Sequence, residues 1–288
     1  RVVEALDASD GPFDVALLAT PPVAALRAAE DVLPHLAPDG VVVCLQNGLT
    51  EERIAEALGP ARVVGAVVRF GASQRAPGQY VRTSKGGFVV GSFEGAPCTT
   101  TRAVARALSG VGAVSLTSNL RGARWSKLAI NCAISTLGTI AGARLGEVLS
   151  HAFARRLALE IVGEALAVAR AEGVVVEPAA PGVSLDALAL LPAARASASP
   201  LVLAAKHVAM GALAVRYGRL RSSMLAGIER GRPSGIAYLN GEIVRRGAIR
   251  GLPTPVNAAA EHAVLSIERG GARSSFASLR ALFDATRA

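Results

Sequence analysis

Two kinds of hydrophobic spacing divide the chain. In its first part, short continuous apolar runs alternate with helical patterns. "DVALLAT" (14–20) and "DGVVVCLQNG" (39–48) read as strands buried on both faces, the second entered and left by turns. Between them "PPVAALRAAEDVLPHL" begins with proline, which costs nothing at a helix entry because its missing N–H is an orphan there. "TEERIAEAL" (50–58) is a second helix, with Thr50 as its expected N-cap and acids in its first turn. Two β-rich segments follow, "RVVGAVVRFGAS" and "YVRTSKGGFVVGS", then a helix near 99–109 and a short strand at 113–117. Strand–helix–strand alternation predicts parallel strands with helices on the faces.

From residue 119 the period changes to that of helices. The segments opening "NLRGARWSKL", "AFARRLALEI", "SPLVLAAKHV", "PSGIAYLNGE" and "PVNAAAEHAV" all carry it, and Gly or Pro punctuates the junctions. The stretch 177–200 is rich in Pro, Ala and Ser and reads as a loop with one short helix in it. The expected architecture is a Rossmann-like α/β parallel-sheet domain over 1–118, followed by an all-α domain over 119–288.

Composition changes this picture little. Half of the 288 residues are hydrophobic and 4% are aromatic, which predicts cores packed from Ala, Val and Leu. The formal net charge of +9 comes from arginines scattered along the chain. No basic stripe interleaved with aromatics accompanies it, so a solvated surface is the better reading than a nucleic-acid face. Cys44, Cys98 and Cys132 are odd in number and far apart, and read as reduced, buried small residues of a cytoplasmic protein. The four histidines have no metal-ligand spacing, and no apolar stretch of membrane-spanning length is uninterrupted. Position 1 is not Met and no signal-peptide pattern opens the chain, which reads as lacking its natural start.

The candidate chemistry centres on "RWSKLAINCAIS" (124–135). Lys127, Asn131 and Ser135 are spaced i, i+4, i+8, which places them on one stripe of a helix among apolar neighbours. A solvated polar face has this pattern too. The alternative is a ligand cleft where the two domains join, in which a lysine can hold an anion or give a proton to a carbonyl oxygen. Asn47-Gly48 stands at a strand end, where turn chemistry and ligand binding both favour such a pair.

"LQNGLTEE", "WSKLAINCAISTLG" and the long block from "SSMLAGIERG" to "LPTPVN" resemble, in order, signature blocks of the ketopantoate reductase (2-dehydropantoate 2-reductase) family. The resemblance implies a dinucleotide-binding Rossmann domain, a helical substrate domain, and NADPH-dependent reduction of a 2-oxo acid, a step of pantothenate biosynthesis. It implies that Lys127 is the catalytic proton donor, and that Asn131, Ser135 and Ser223 stand at substrate-binding positions. It also implies that Asn47 and Ala72 touch the cofactor, and that a homodimer can form. Taken alone, Ser222-Ser223 reads as a helix N-cap before "MLAGIE".

The departures fall at Ser135, where the family has a second asparagine, at Pro21 in place of a lysine, and at Gly235 in place of a glutamate. Glu242 does not obviously stand in for that carboxylate. The family's opening G-x-G-x-x-G loop is absent, which implies a chain lacking that glycine-rich segment. A dehydrogenase of another hydroxy acid and a non-catalytic relative stay open as alternatives.

Overall fold

A computed structural model describes residues 3–7, 9–178, 184–195 and 197–287. The chain forms two compact units, Arg1–Arg124 and Trp125–Ala288. The division falls a few residues beyond the boundary that the change of period suggests.

The first unit runs β1 (Phe13–Leu18), α1 (Pro22–Val32), β2 (Leu36–Cys44), α2 (Thr50–Leu58), β3 (Val63–Val68), β4 (Ala72–Ala76), β5 (Gln79–Arg82), β6 (Gly87–Ser92), α3 (Thr99–Ser109) and β7 (Ala113–Leu116). Its main sheet has the order β1-β2-β3-β6-β7. Three pairings are parallel, and β3 with β6 is antiparallel. The exception follows from the connections. Helices α1, α2 and α3 carry the chain back for each parallel strand, whereas β3 reaches β6 through the hairpin β4–β5, which provides no helical crossover. The continuous apolar runs are explained by burial on both faces. Val42 and Cys44 join Ala25, Ala29 and Ile54 in one cluster, while Val41 and Val43 join Val104 and Leu108 in another.

Thr50 is not the N-cap of α2. It is the first helical residue, Leu49 precedes it as cap, and no side-chain cap bond is made. The expected burial of all three cysteines is also corrected. Cys44 and Cys132 are buried, but Cys98 is exposed because the chain turns into α3 there.

Helix α4 (Leu120–Ala141) ends at Gly142, whose N–H still donates to Gly138 O at 3.1 Å and whose left-handed conformation (φ +70°) turns the chain out of the helix. The second unit continues with α5 (Leu145–Ser150), α6 (Ala152–Ala171), α7 (Pro200–Tyr217), α8 (Ser223–Ile228), α9 (Asn240–Ile249), α10 (Pro255–Glu268) and α11 (Phe276–Ala285). Helix α6 is its axis, in contact with α5, α7, α9, α10 and α11. Its burial extends to charged positions: Glu160 and Glu164 on α6 are 0% exposed. The Pro/Ala/Ser stretch forms 3-10 turns at Asp186–Leu188 and Pro192–Ala194, while 179–183 and 196 lie outside the described residues.

Candidate active site

Within the second unit, α4 presents Lys127, Asn131 and Ser135 on one stripe, as their spacing requires. All three are half-buried, and so are Ile130 and Ile134 beside them. Leu128, Cys132, Thr136 and Thr139 turn inward. The stripe is therefore neither a fully solvated face nor part of the core.

The start of α8 is fastened to the Ser135 end of this stripe. Ser222 is the N-cap of α8, and its Oγ accepts from Leu225 N at 3.3 Å. The hydroxyls of Ser222 and Thr139 each lie 2.8 Å from Ser135 O. The two hydroxyls are also 2.8 Å apart. Capping thus holds, and it leaves the next residue, Ser223, exposed.

The opposite side of α4 rests on buried amides that sequence reasoning did not single out. Thr136 Oγ1 donates to Asn240 Oδ1 (2.6 Å), while Asn240 Nδ2 donates to Cys132 O (3.2 Å) and Asn257 Oδ1 (2.9 Å). Asn257 in turn gives its backbone N–H (2.9 Å) and its Nδ2 (2.7 Å) to Glu164 Oε2. Glu164 Oε1 accepts from Val256 N (3.0 Å) and Arg195 Nη2 (2.5 Å). The carboxylate thereby caps α10 with charge-assisted bonds, and the chain of bonds fixes α4 against α6, α9 and α10. The asparagines stand at the first turns of α9 and α10 in "LNG" and "PVN", the one signal the sequence offered for them.

Gly235 adopts a left-handed conformation (φ +69°), and a Cβ there would meet nothing within 4 Å. Glu242 does not supply the carboxylate that Gly235 lacks. Its Oε1 accepts from Arg246 Nε (2.6 Å) and Arg245 Nη2 (2.5 Å). Burial alone would raise its pKa, but these two guanidiniums outweigh burial and hold it below the ordinary carboxylate value.

In the first unit, Asn47 is exposed in the turn between β2 and α2, ahead of Gly48 with φ +91°. Arg124, the last residue of this unit, braces that turn from inside. Its Nη2 and Nη1 donate to Cys44 O and Gln46 O, both at 2.6 Å, and it pairs with Glu51. Arg124 is 3% exposed and Glu51 2%. Burial pushes the Glu51 carboxyl up, with Arg124 opposing it. This brace was invisible in sequence because its partners lie 78 and 80 residues away.

Ala72 opens β4 opposite Arg82. The bond from Thr83 N to Gly71 O (2.8 Å) makes the adjacent pair the hydrogen-bonded one, so the backbone groups of Ala72 point away from β5. Asn47 and Ala72 thus offer an exposed amide and an outward-facing backbone. Among the described residues, no group of His, Cys, Asp and Glu could hold a metal ion, and no helix is long and apolar enough to cross a membrane.

Comparison with known proteins bears on this arrangement. The family described as "Ketopantoate reductase PanE/ApbA C terminal" matches residues 119–268, and "Ketopantoate reductase PanE/ApbA" matches residues 1–95. The chain belongs to the ketopantoate reductase family. The 2-dehydropantoate 2-reductase of Pyrobaculum aerophilum is 32% identical over 232 residues, which span 80% of this chain and 70% of that protein. A PanE/ApbA family ketopantoate reductase from Ralstonia eutropha superposes with a TM-score of 0.72 at 27% identity, covering 90% of this chain and 77% of that one. D-mandelate dehydrogenase, solved as a ternary complex with NADH and anilino(oxo)acetate, gives a TM-score of 0.73 at 21% identity over 92% of this chain and 78% of its own. At that identity the likeness is one of fold alone.

Proposed function

We propose that this ketopantoate reductase family member reduces a 2-oxo acid, 2-dehydropantoate or a close analogue, to the 2-hydroxy acid with NADPH. The observation that carries the reading is the half-buried stripe of Lys127, Asn131 and Ser135, with Ser223 exposed where α8 is fastened to its end. The nicotinamide, when bound, supplies hydride to the carbonyl carbon. Asn47 and the backbone of Ala72 are the groups assigned to hold it, an assignment that fits their exposure and outward direction.

The chain's own work is the proton and the positioning. Lys127 Nζ gives a proton to the carbonyl oxygen as negative charge develops there, and water then reprotonates the amine. Asn131 and Ser223 bind the substrate's polar groups, and the bonds behind α4 keep the stripe in place. The narrower reach of Ser135 and the open space at Gly235 favour, as a second reading, a 2-oxo acid bulkier than 2-dehydropantoate.

The test is a screen of 2-oxo acids with NADPH and NADH, followed by Lys127→Ala on the best substrate. Loss of the general acid should lower kcat by roughly 10²–10⁴-fold with NADPH affinity nearly unchanged. Lys127→Arg should not restore it, since a guanidinium neither gives up its proton nor has the ammonium's shape. Near-normal kcat in Lys127→Ala with every accepted substrate would refute the assignment.

A further inference from the structure

The stretch that carries β3 to β6 is charged with one sign only. Between Glu56 and Glu94 the chain holds Arg62, Arg69, Arg75, Arg82 and Lys85 and no acidic residue. Arg62 is occupied just before β3, where its Nη1 donates to Ala37 O and Gly40 O, both at 2.9 Å. The other four stand on the hairpin β4–β5 and the turns that join it to the sheet, and all four are exposed. Arg82 shapes the turn into β6. Its Nε donates to Ser84 O at 3.2 Å and its Nη2 to Gly86 O, so the guanidinium closes residues 82–86 into a loop. The Phe70 ring lies against it, with the ring centroid 4.4 Å from Arg82 Cζ. On the other side Thr83 N donates to Gly71 O (2.8 Å) and Gly71 N to Ser84 Oγ (2.7 Å). The guanidinium is therefore fixed before any ligand arrives, and its Nη1 is left over. Gly112 keeps that nitrogen open, since a Cβ there would stand 3.3 Å from it.

Arg82 occupies two of the loop's carbonyls, while the loop's donors stay unoccupied. The backbone N–H groups of Ser84, Lys85 and Gly86 have no acceptor among the described residues, and neither Arg82 nor Lys85 pairs with a carboxylate there. Ser84 Oγ accepts from Gly71 N, which leaves its own hydrogen free to donate. Residues 82–86 line an open pocket of about 520 Å³, the size of a small-molecule site. The pocket stands at the edge of the sheet where β1, β2 and β3 end, because β6 runs antiparallel to β3 and begins there. Ligands of such sheets bind outside the carboxyl ends of the parallel strands. Since β3 lies between β2 and β6, the loop is two strand spacings, roughly 10 Å, along that edge from the end of β2.

We propose that the loop Arg82–Gly86 is a binding site for a phosphate group. It offers two positive charges, several N–H and O–H donors and no carboxylate, which is the chemistry of an anion site. A phosphate ester brings three strong acceptor oxygens and close to two negative charges to meet them, whereas a carboxylate has two oxygens and a single charge. Arg82 is the fixed wall of the site and Lys85 its mobile cation. The phosphate is that of a separate phosphate ester or one carried by a dinucleotide, and the chemistry of the loop is the same for both. The site lies wholly in the first unit and uses none of the residues assigned to the reaction.

Calorimetric titration of the intact protein with inorganic phosphate, at about pH 8 and roughly physiological salt, should show one site with a Kd on the order of 1 mM or tighter. Lys85→Gln should weaken that binding by about 10-fold or more, as loss of one charge-assisted bond does. Lys85 is exposed, so the substitution puts no packing at risk. Arg82→Lys keeps the charge but not the planar fork, and should weaken binding to a similar degree. Arg75→Gln removes a charge from the same hairpin outside the pocket, and should leave the Kd within about twofold, because salt screens it. Repeating the titration with NADPH in excess separates the two sources. Displacement of phosphate assigns the site to a phosphate of the dinucleotide, and undiminished binding assigns it to a separate ester. No binding up to about 10 mM phosphate, a Kd unchanged in Lys85→Gln, or equal losses in Arg75→Gln and Lys85→Gln, as diffuse surface charge produces, would overturn the proposal. None of these readouts depends on catalytic activity.

Discussion

At the residue scale, the three cysteines show how surroundings divide one chemistry. Burial pushes the thiols of Cys44 and Cys132 well above their ordinary value, so they stay protonated and unreachable. Cys98 is exposed at the start of α3, where the Thr101 hydroxyl lies 3.3 Å from its Sγ. That contact and neighbouring backbone N–H bonds favour the thiolate and bring its pKa to about 7. Iodoacetamide should therefore modify the native protein once, at Cys98, with a rate that rises through about pH 7 and then levels off. Mass spectrometry locates the adduct; labelling of Cys44 or Cys132 without denaturant would contradict their burial. Spacing in the sequence could not separate the three, because exposure at "APCTT" is decided by where the chain turns.

At the scale of elements, close approach is the controlling feature of α6. A Cβ at Gly163 would press into Leu190 O, and Leu190 N donates back to Leu159 O at 2.7 Å. The segment before α7 thus lies directly on the helix backbone. Gly163→Ala, which improves helix propensity, should nevertheless destabilise the protein by about 1–3 kcal/mol, the usual cost of overpacking, measured as a lower urea midpoint. The elements themselves were largely legible. Buried strands showed as unbroken apolar runs, and α4, α6, α7, α9 and α10 as periodic segments. The antiparallel pairing of β3 with β6 was not legible, since a strand's direction is set by its connection rather than by its own residues. Helix α11 is not among the segments that the spacing marks out. The stripe on α4 could be read because it repeats every four residues, whereas Asn240 stands 104 residues from Thr136 and no local pattern joins them.

For the whole molecule, charge is concentrated in ion pairs of the helical unit. Glu160 accepts from Arg287 Nη2 (2.8 Å) and Arg156 Nε (2.5 Å), and Glu172 from Arg246 Nη1 (2.8 Å) and Arg250 Nε (3.0 Å). Burial alone would raise both carboxyls, but these arginines lower them, as with Glu242. Because the folded values lie below the unfolded ones, the stabilisation is fully present above the ordinary carboxylate value and is lost as pH falls through the lowered ones. The urea midpoint should accordingly be flat near neutrality and drop below about pH 5, with a shallower acid limb in Arg287→Met. An acid limb unchanged by that substitution would place the pH dependence elsewhere. The bonds behind α4 have a different kind of consequence. Thr136, Asn240, Asn257 and Glu164 each spend their polar atoms on another member, so none can be replaced by an apolar residue without stranding the next. In evolutionary terms the set behaves as a single inherited character: among relatives the four positions should be kept together or exchanged together, and lineages that have abandoned one should be found to have rewritten the rest.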